Sequence, residues 1–196
     1  MEVTRRVNRC NIWQAIYTAG VTLPTPFGSA QYFHRNLNPK KTVEVGFAYK
    51  PASKTMAAFV KQHRLPEEPL LRGIRPLVDT DVPAVAKLLN NHLSNCYKVH
   101  MDFTTDEVAH WVLPRDNVVY SYVVEDDNGR VTDLLSFYEL NSSILKNPNY
   151  NKMNIAYASY CVARDNDSGR LKQLFKDMLI LAKQKGFDVF NVTEVL

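Results

Sequence analysis

Between Thr18 and His34 the chain carries the hydroxyls of Thr18 and Ser29, the phenol of Tyr32 and the imidazole of His34, with Phe33 between the last two. Hydroxyl and imidazole groups make directional hydrogen bonds, and the rings add flat apolar area. Pro24 and Pro26 hold the backbone between Gly20 and Gly28 extended, because proline fixes its own φ and biases the preceding residue away from helix. A rigid, aromatic, hydroxyl-bearing segment suits a binding wall. It also suits the covered edge of a sheet with ordinary core aromatics, and residue types alone favour that plainer reading.

No other group of side chains stands in a chemical pattern. His63, His92, His100 and His110 have no second imidazole or carboxylate at ligand spacing within a supporting motif, so they read as solvated or structural and no metal is expected. Cys10, Cys96 and Cys161 are far apart and odd in number, against both a disulfide framework and a zinc site.

The elements that must position these residues fall into two groups. Over residues 1–50 we expect the tail of a helix, a strand at Ile12–Tyr17, a short helix near Gln31–Leu37 capped by Ser29 and stopped by Asn38-Pro39, and a strand at Thr42–Phe47. Residues 51–73 read as a connector punctuated by Pro51, Pro66, Pro69 and Gly73, with a helix near Thr55–Lys61. From Ile74 the pattern is denser. A short strand at Ile74–Val78 precedes a helix with Val82, Val85, Ala86, Leu89 and Leu93 on one stripe, capped by Asp79 or Thr80. Thr104 and Glu107 form a capping box for a second helix. Strands at Val118–Glu125 and Val131–Leu140 are joined through Asn128-Gly129, a hairpin turn signal. A strand at Ile155–Ala163, a helix from Ser168 to Lys185 closed by Gly186, and a strand at Phe187–Val192 complete the set. The first residues read as the middle of a helix and the last as the end of a strand, so both ends look cut.

At 196 residues, 45% hydrophobic and 22% charged, the chain can bury a substantial core. A net charge of +4 with scattered Lys and Arg forms no stripe, which excludes a nucleic-acid-binding reading. No apolar run reaches the length of a membrane span, and with no recognisable export signal the expected location is cytoplasmic.

Several words of the sequence together resemble N-myristoyltransferase. They are Glu2-Val-Thr-Arg-Arg-Val-Asn8, Gln14-Ala-Ile-Tyr-Thr-Ala-Gly20, Gln31-Tyr-Phe-His-Arg-Asn-Leu-Asn-Pro39, Asp133-Leu-Leu-Ser-Phe-Tyr138 and Lys185-Gly-Phe-Asp-Val-Phe-Asn191. The resemblance runs in register over nearly the whole chain and covers the C-terminal part of the family's catalytic region. It implies transfer of myristate from myristoyl-CoA to the N-terminal glycine of protein substrates, by a monomer built from two GNAT-like halves. The first half binds acyl-CoA and the second helps bind peptide. The order of strand, two helices, three strands, helix and strand likewise resembles the GNAT acyltransferase core. We therefore expect an α+β fold, a GNAT-like mixed sheet flanked by helices. Residues 1–73 would be the trailing part of the first half with its connector, and residues 74–196 the second half.

In GNAT enzymes the loop before the last helix holds the CoA pyrophosphate on backbone N–H groups. Here that loop is Arg164-Asp-Asn-Asp-Ser-Gly-Arg170, with the wrong glycine spacing and two aspartates beside the phosphate position. No cofactor is therefore expected on this chain, and myristoyl-CoA remains the co-substrate of the intact enzyme. By the resemblance, Thr18, Gly20, Tyr32, His34, Phe47, Ser142 and Tyr157 bind the glycine-initiated peptide. Tyr157 and Phe47 remain evenly balanced with a core role. Where the family commonly carries a proline before the serine, this chain has Asn141. The family's catalytic groups, a C-terminal carboxylate and backbone amides of the first half, fall outside this sequence, so no catalytic residue is expected within it. An autonomous GNAT-type acetyltransferase and a non-catalytic peptide-binding module are the alternatives.

Overall fold

The computed structural model describes residues 2–14, 18–20, 26 and 28–194. The chain divides into two units, residues 1–30 and 31–196. In the first, α1 (Glu2–Arg9) is a short helix with no buried residue. Glu2 in its first turn pairs with Arg5 and Arg6 at 2.6 and 2.9 Å, three and four positions further along the same face. Asn11 follows at φ 59. Of the strand expected at Ile12–Tyr17, residues 12–14 are irregular and residues 15–17 lie outside the described residues.

The second unit opens with β1 (Tyr32–Asn36), α2 (Pro39–Glu44) and α3 (Met56–Gln62). Two expectations are corrected here. The predicted helix near Gln31–Leu37 is a strand, because Tyr32-Phe33-His34 finds an open sheet edge contributed by residues more than 150 positions later. The predicted strand at Thr42–Phe47 is the helix α2 and its exit. Asn38 caps α2 by accepting from the Lys41 N–H, Pro39 stands in its first turn, and Gly46 leaves it at φ 77. Asn38-Pro39 thus starts a helix rather than stopping one. The expected helix after Thr55 forms, with Thr55 as its cap.

Next come β2 (Ile74–Pro76), α4 (Val82–Cys96) and α5 (Thr105–Trp111). The expected apolar stripe of α4 is buried. Residues 79–81 form a separate tight turn, so neither Asp79 nor Thr80 caps α4. The Thr104–Glu107 capping box forms with both of its hydrogen bonds, at 2.8 and 3.2 Å. The hairpin strands β3 (Val119–Glu125) and β4 (Val131–Glu139) pair antiparallel as expected, with Gly129 in the turn at φ 75. A small hairpin that the sequence pattern did not announce, β5 (Ser142–Ser143) with β6 (Lys152–Met153), precedes β7 (Ile155–Val162), α6 (Ser168–Gln184) and β8 (Val189–Thr193).

Six strands form one sheet in the order β1-β8-β7-β4-β3-β2, antiparallel except for the β7–β8 pair that α6 connects. Between Leu135↔Cys161 and Phe137↔Ala158, β7 carries one residue more than β4, a bulge that reverses which face its later residues meet. Helix α6 packs on one face through Leu174, Met178 and Leu181 against Leu135, Phe137, Ala156 and Phe190. Helices α4 and α5 cover part of the other through Val85, Leu89 and Val108 against Val123, Leu134 and Val162. This is the expected α+β class, a mixed sheet flanked by helices.

Besides Asp81, which accepts from Arg75 and the Val78 N–H, three aspartates are buried and each is answered. Asp133 accepts from Arg170, Thr132 and the Arg164 N–H; Asp177 accepts from the Leu70 and Leu71 N–H groups; Asp188 accepts from Lys41, Asn38 and the Asn154 N–H. Desolvated carboxylates persist only with such partners. The first ties α6 to the hairpin, the second pins the connector to α6, and the third fixes α2 beside the β1–β8 end of the sheet.

Candidate functional site

The strand register draws one line across four strands. His34 of β1 lies opposite Asn191 of β8, Asn191 opposite Tyr157 of β7, and Tyr157 opposite Tyr138 of β4. Opposed residues of neighbouring strands share a face, and so do residues two apart in one strand, which adds Tyr32. The side chains meet accordingly. Tyr138 and Tyr157 stack with centroids 5.4 Å apart, Tyr32 stands edge-on to Tyr157 at 6.3 Å, and His34 Nδ1 lies 2.6 Å from Asn191 Oδ1. Tyr32 is 53% exposed and Tyr138 38%, while Asn191 is buried. The result is an aromatic face with one fixed imidazole, open to solvent.

Helix α2 supplies the flank. Its Thr42, fully buried, donates to the Asn38 and Pro39 carbonyls, and the Thr42 carbonyl accepts from the Phe47 and Ala48 N–H groups. That turn sets Phe47 edge-on to His34, centroids 5.9 Å apart. An open cavity of about 540 Å³ begins at these two rings and continues past Asn36 to Phe59 and His63 of the α3 region. Among the described residues, no carboxylate lines it. Burial pushes the Tyr138 phenol up, with Tyr32 and Tyr157 adding to the effect, so it keeps its proton and remains a donor.

Such a surface can grip an extended chain by aromatic contact and directional hydrogen bonds. It holds, among the described residues, no nucleophile paired with a base and no cluster of oxyanion donors. Among the described residues, no group of three His, Cys, Asp or Glu is placed to hold a metal.

The profile of the Myristoyl-CoA:protein N-myristoyltransferase C-terminal domain matches residues 44–196, and that of the N-terminal domain matches residues 1–30. The chain belongs to the N-myristoyltransferase family. It is 51% identical over 196 residues to glycylpeptide N-tetradecanoyltransferase 1 of Arabidopsis thaliana, covering all of this chain and 44% of that protein. It is 43% identical to the Plasmodium falciparum glycylpeptide N-tetradecanoyltransferase, covering all of this chain and 46% of that protein. A crystal structure of Saccharomyces cerevisiae N-myristoyltransferase with bound myristoyl-CoA superposes with TM-score 0.91 at 36% identity, over 98% of this chain and 48% of that one. The GNAT-like fold is thereby shown, and the chain spans about half the length of the curated relatives it matches.

Of the peptide-binding positions that the N-myristoyltransferase resemblance implied, the fold gathers Tyr32, His34, Phe47 and Tyr157 around one face. Ser142 is exposed in β5, on the hairpin whose Met153 and Ile144 pack with Ile155, Tyr157 and Val189. Asn141 ties that segment down by accepting from the Ile155 N–H and donating to Glu139. Thr18 and Gly20 are exposed and belong to the first unit. Tyr138 and Asn191 are additions to the expected set. Tyr138 was legible as a residue on the opposite strand face from Phe137 by alternation, and Asn191 as a lone amide in an apolar strand, the usual sign of a buried polar group with a partner.

The loop at Arg164–Arg170 is filled from within. Asp165 and Asn166 adopt φ 57 and 53, the Asp167 carboxylate accepts from the Gly169 N–H at 2.7 Å, and Arg170 is committed to Asp133. The N-terminal end of α6, where a phosphate would sit, already faces a carboxylate of the chain itself.

Proposed function

We propose that this chain is the peptide-binding part of a glycylpeptide N-tetradecanoyltransferase, the enzyme that moves myristate from myristoyl-CoA to the N-terminal glycine of a protein. Residues 74–196 serve as the second GNAT-like half, and residues 1–73 as the trailing part of the first with its connector. Tyr32, His34, Phe47, Ser142 and Tyr157, with Thr18 and Gly20, contact the extended N-terminal segment of the substrate. The enzyme acts as a cytoplasmic monomer. The observation that carries this reading is the exposed row of His34, Tyr157 and Tyr138 with Tyr32, a binding surface without catalytic groups.

The chemistry needs more than that surface. An N-terminal amine has a pKa of about 7.7–8.0, so much of it is protonated at neutral pH and cannot attack a thioester. A base must take its proton, and donors must meet the negative charge that develops on the thioester oxygen. In the family the resemblance assigns these to a C-terminal carboxylate and to backbone amides of the first half. Neither belongs to the row. The chain alone therefore binds a glycine-initiated peptide and does not transfer myristate.

Myristoyl transfer to such a peptide, compared between this chain and the full-length enzyme, tests the proposal, with calorimetric titration of each substrate into the chain. Peptide binding without myristoyl-CoA binding or turnover is expected. Turnover by the chain alone at a comparable rate overturns it. An autonomous GNAT-type acetyltransferase would need the α6 N-terminus for CoA, and the Asp167 carboxylate there speaks against that reading.

A further inference from the structure

We propose that Asn191 is a positioning residue that holds His34 in the tautomer with hydrogen on Nδ1, leaving Nε2 as an acceptor toward the bound peptide. The inference rests on the peptide-binding reading of His34 and adds a residue and a direction to it. Asn191 lies in the middle of β8 with pairing on both sides, antiparallel to His34 and parallel to Tyr157, and is 3% exposed. Its backbone is locked by both ladders, and its amide faces the ring across 2.6 Å, Oδ1 toward Nδ1. A carbonyl oxygen accepts only, so the hydrogen of that contact belongs to Nδ1. Neutral imidazole carries a single N–H, which leaves Nε2 bare. Phe47 stands edge-on to the same ring and limits its rotation.

The consequence is a polarity filter. A bare Nε2 accepts from an N–H or hydroxyl of the peptide and offers nothing to a carbonyl or carboxylate. With the Asn191 amide turned over, or absent, the ring is free to take the opposite tautomer and the filter inverts. Flipping the imidazole instead would put a carbon where Nδ1 stands and lose the Asn191 contact. The buried amide therefore decides what the exposed imidazole can recognise.

Two-bond ¹H–¹⁵N correlation spectra of the imidazole rings, recorded on the whole chain at a pH where they are neutral, read the tautomer directly. We expect the Nδ1–H pattern for His34, assigned through its loss in His34→Gln. Asn191→Asp, which keeps an acceptor in place, retains that pattern. Asn191→Leu shifts the ring toward the Nε2–H form. An Nε2–H pattern in the unaltered chain overturns the proposal without any variant, and so does an unchanged Nδ1–H pattern in a folded Asn191→Leu chain. In the full-length enzyme Asn191→Leu raises the peptide KM by about two- to tenfold, the value of one hydrogen bond, with kcat and the myristoyl-CoA KM unchanged. A tautomer shift without that change in KM upholds the positioning contact and refutes the peptide-binding reading of His34. The two failures are thus distinguishable.

Discussion

Tyr138 and Tyr157 stack across the β4–β7 pair, with ring centroids 5.4 Å apart and planes inclined by 17°. Tyr32 meets the same Tyr157 ring edge-on. The central tyrosine therefore holds both its neighbours, and the aromatic row depends on its ring more than on its hydroxyl. Tyr157→Phe is expected to keep stability within about 0.5 kcal/mol, while Tyr157→Ala loses roughly 2–3 kcal/mol through two aromatic contacts and the void left behind. Urea unfolding of the two variants checks this.

His34→Ala in the full-length enzyme should weaken peptide use by a factor of about two to ten and leave acyl-CoA affinity unchanged, because one hydrogen bond is lost on the peptide side only. Steady-state kinetics with each substrate varied in turn would decide. Equal losses for both substrates would mean that His34 supports the fold rather than the peptide.

Asp133 gives stability a pH dependence. Burial alone would raise its pKa, but hydrogen bonds from Arg170, Thr132 and the Arg164 N–H together hold the carboxyl below its ordinary value. A carboxyl depressed on folding stabilises fully above its unfolded pKa of about 3.9, and that contribution fades as pH falls through the lower folded value. Asp133→Asn should cost roughly 2–3 kcal/mol at pH 7, leaving Arg170 facing a neutral group, and should flatten the decline in unfolding midpoint below about pH 4. Urea midpoints across pH 2.5–7 measure both effects.

Gly73 sits at φ 77, where an added Cβ would lie 2.5 Å from the Glu125 carbonyl oxygen. That oxygen belongs to a strand end whose own N–H donates to the Gly73 carbonyl, so neither side can retreat. Gly73→Ala combines left-handed strain with a backbone clash and should destabilise by about 2–4 kcal/mol. By contrast Gly129→Ala, with open space around it, should lose only about 1 kcal/mol from its φ of 75. Thermal unfolding of the pair separates clash from strain.

Burial, reinforced by Asp133, pushes the Cys161 thiol up to about 12, so almost none is thiolate at neutral pH. Cys10 and Cys96 are exposed. Iodoacetamide treatment of the folded chain should label those two and spare Cys161 until denaturant is added, as mass spectrometry of the digested protein would read.

Local signals by themselves determined the second half. A turn dipeptide at Asn128-Gly129, a capping box at Thr104–Glu107 and apolar stripes over α4 and α6 each act within one or two turns of chain, so the helices and main strands from Ile74 onward followed from the residues, while the β5–β6 hairpin and the start of α4 did not. Recognisable words likewise indicated the family and the side chains proposed for the peptide. Residues 31–47 could not be settled that way. Tyr32–Asn36 is extended because β8 offers it an edge, and Thr42–Phe47 alternates like a strand over too few residues to outweigh the Asn38-Pro39 start and the Gly46 stop. The site itself was decided only in three dimensions. His34, Asn191, Tyr157 and Tyr138 are scattered over more than 150 residues of sequence, and it is strand register, with the β7 bulge and the Asp188 anchor on α2, that sets them in one line. Register is a property of paired strands, and no single strand carries it.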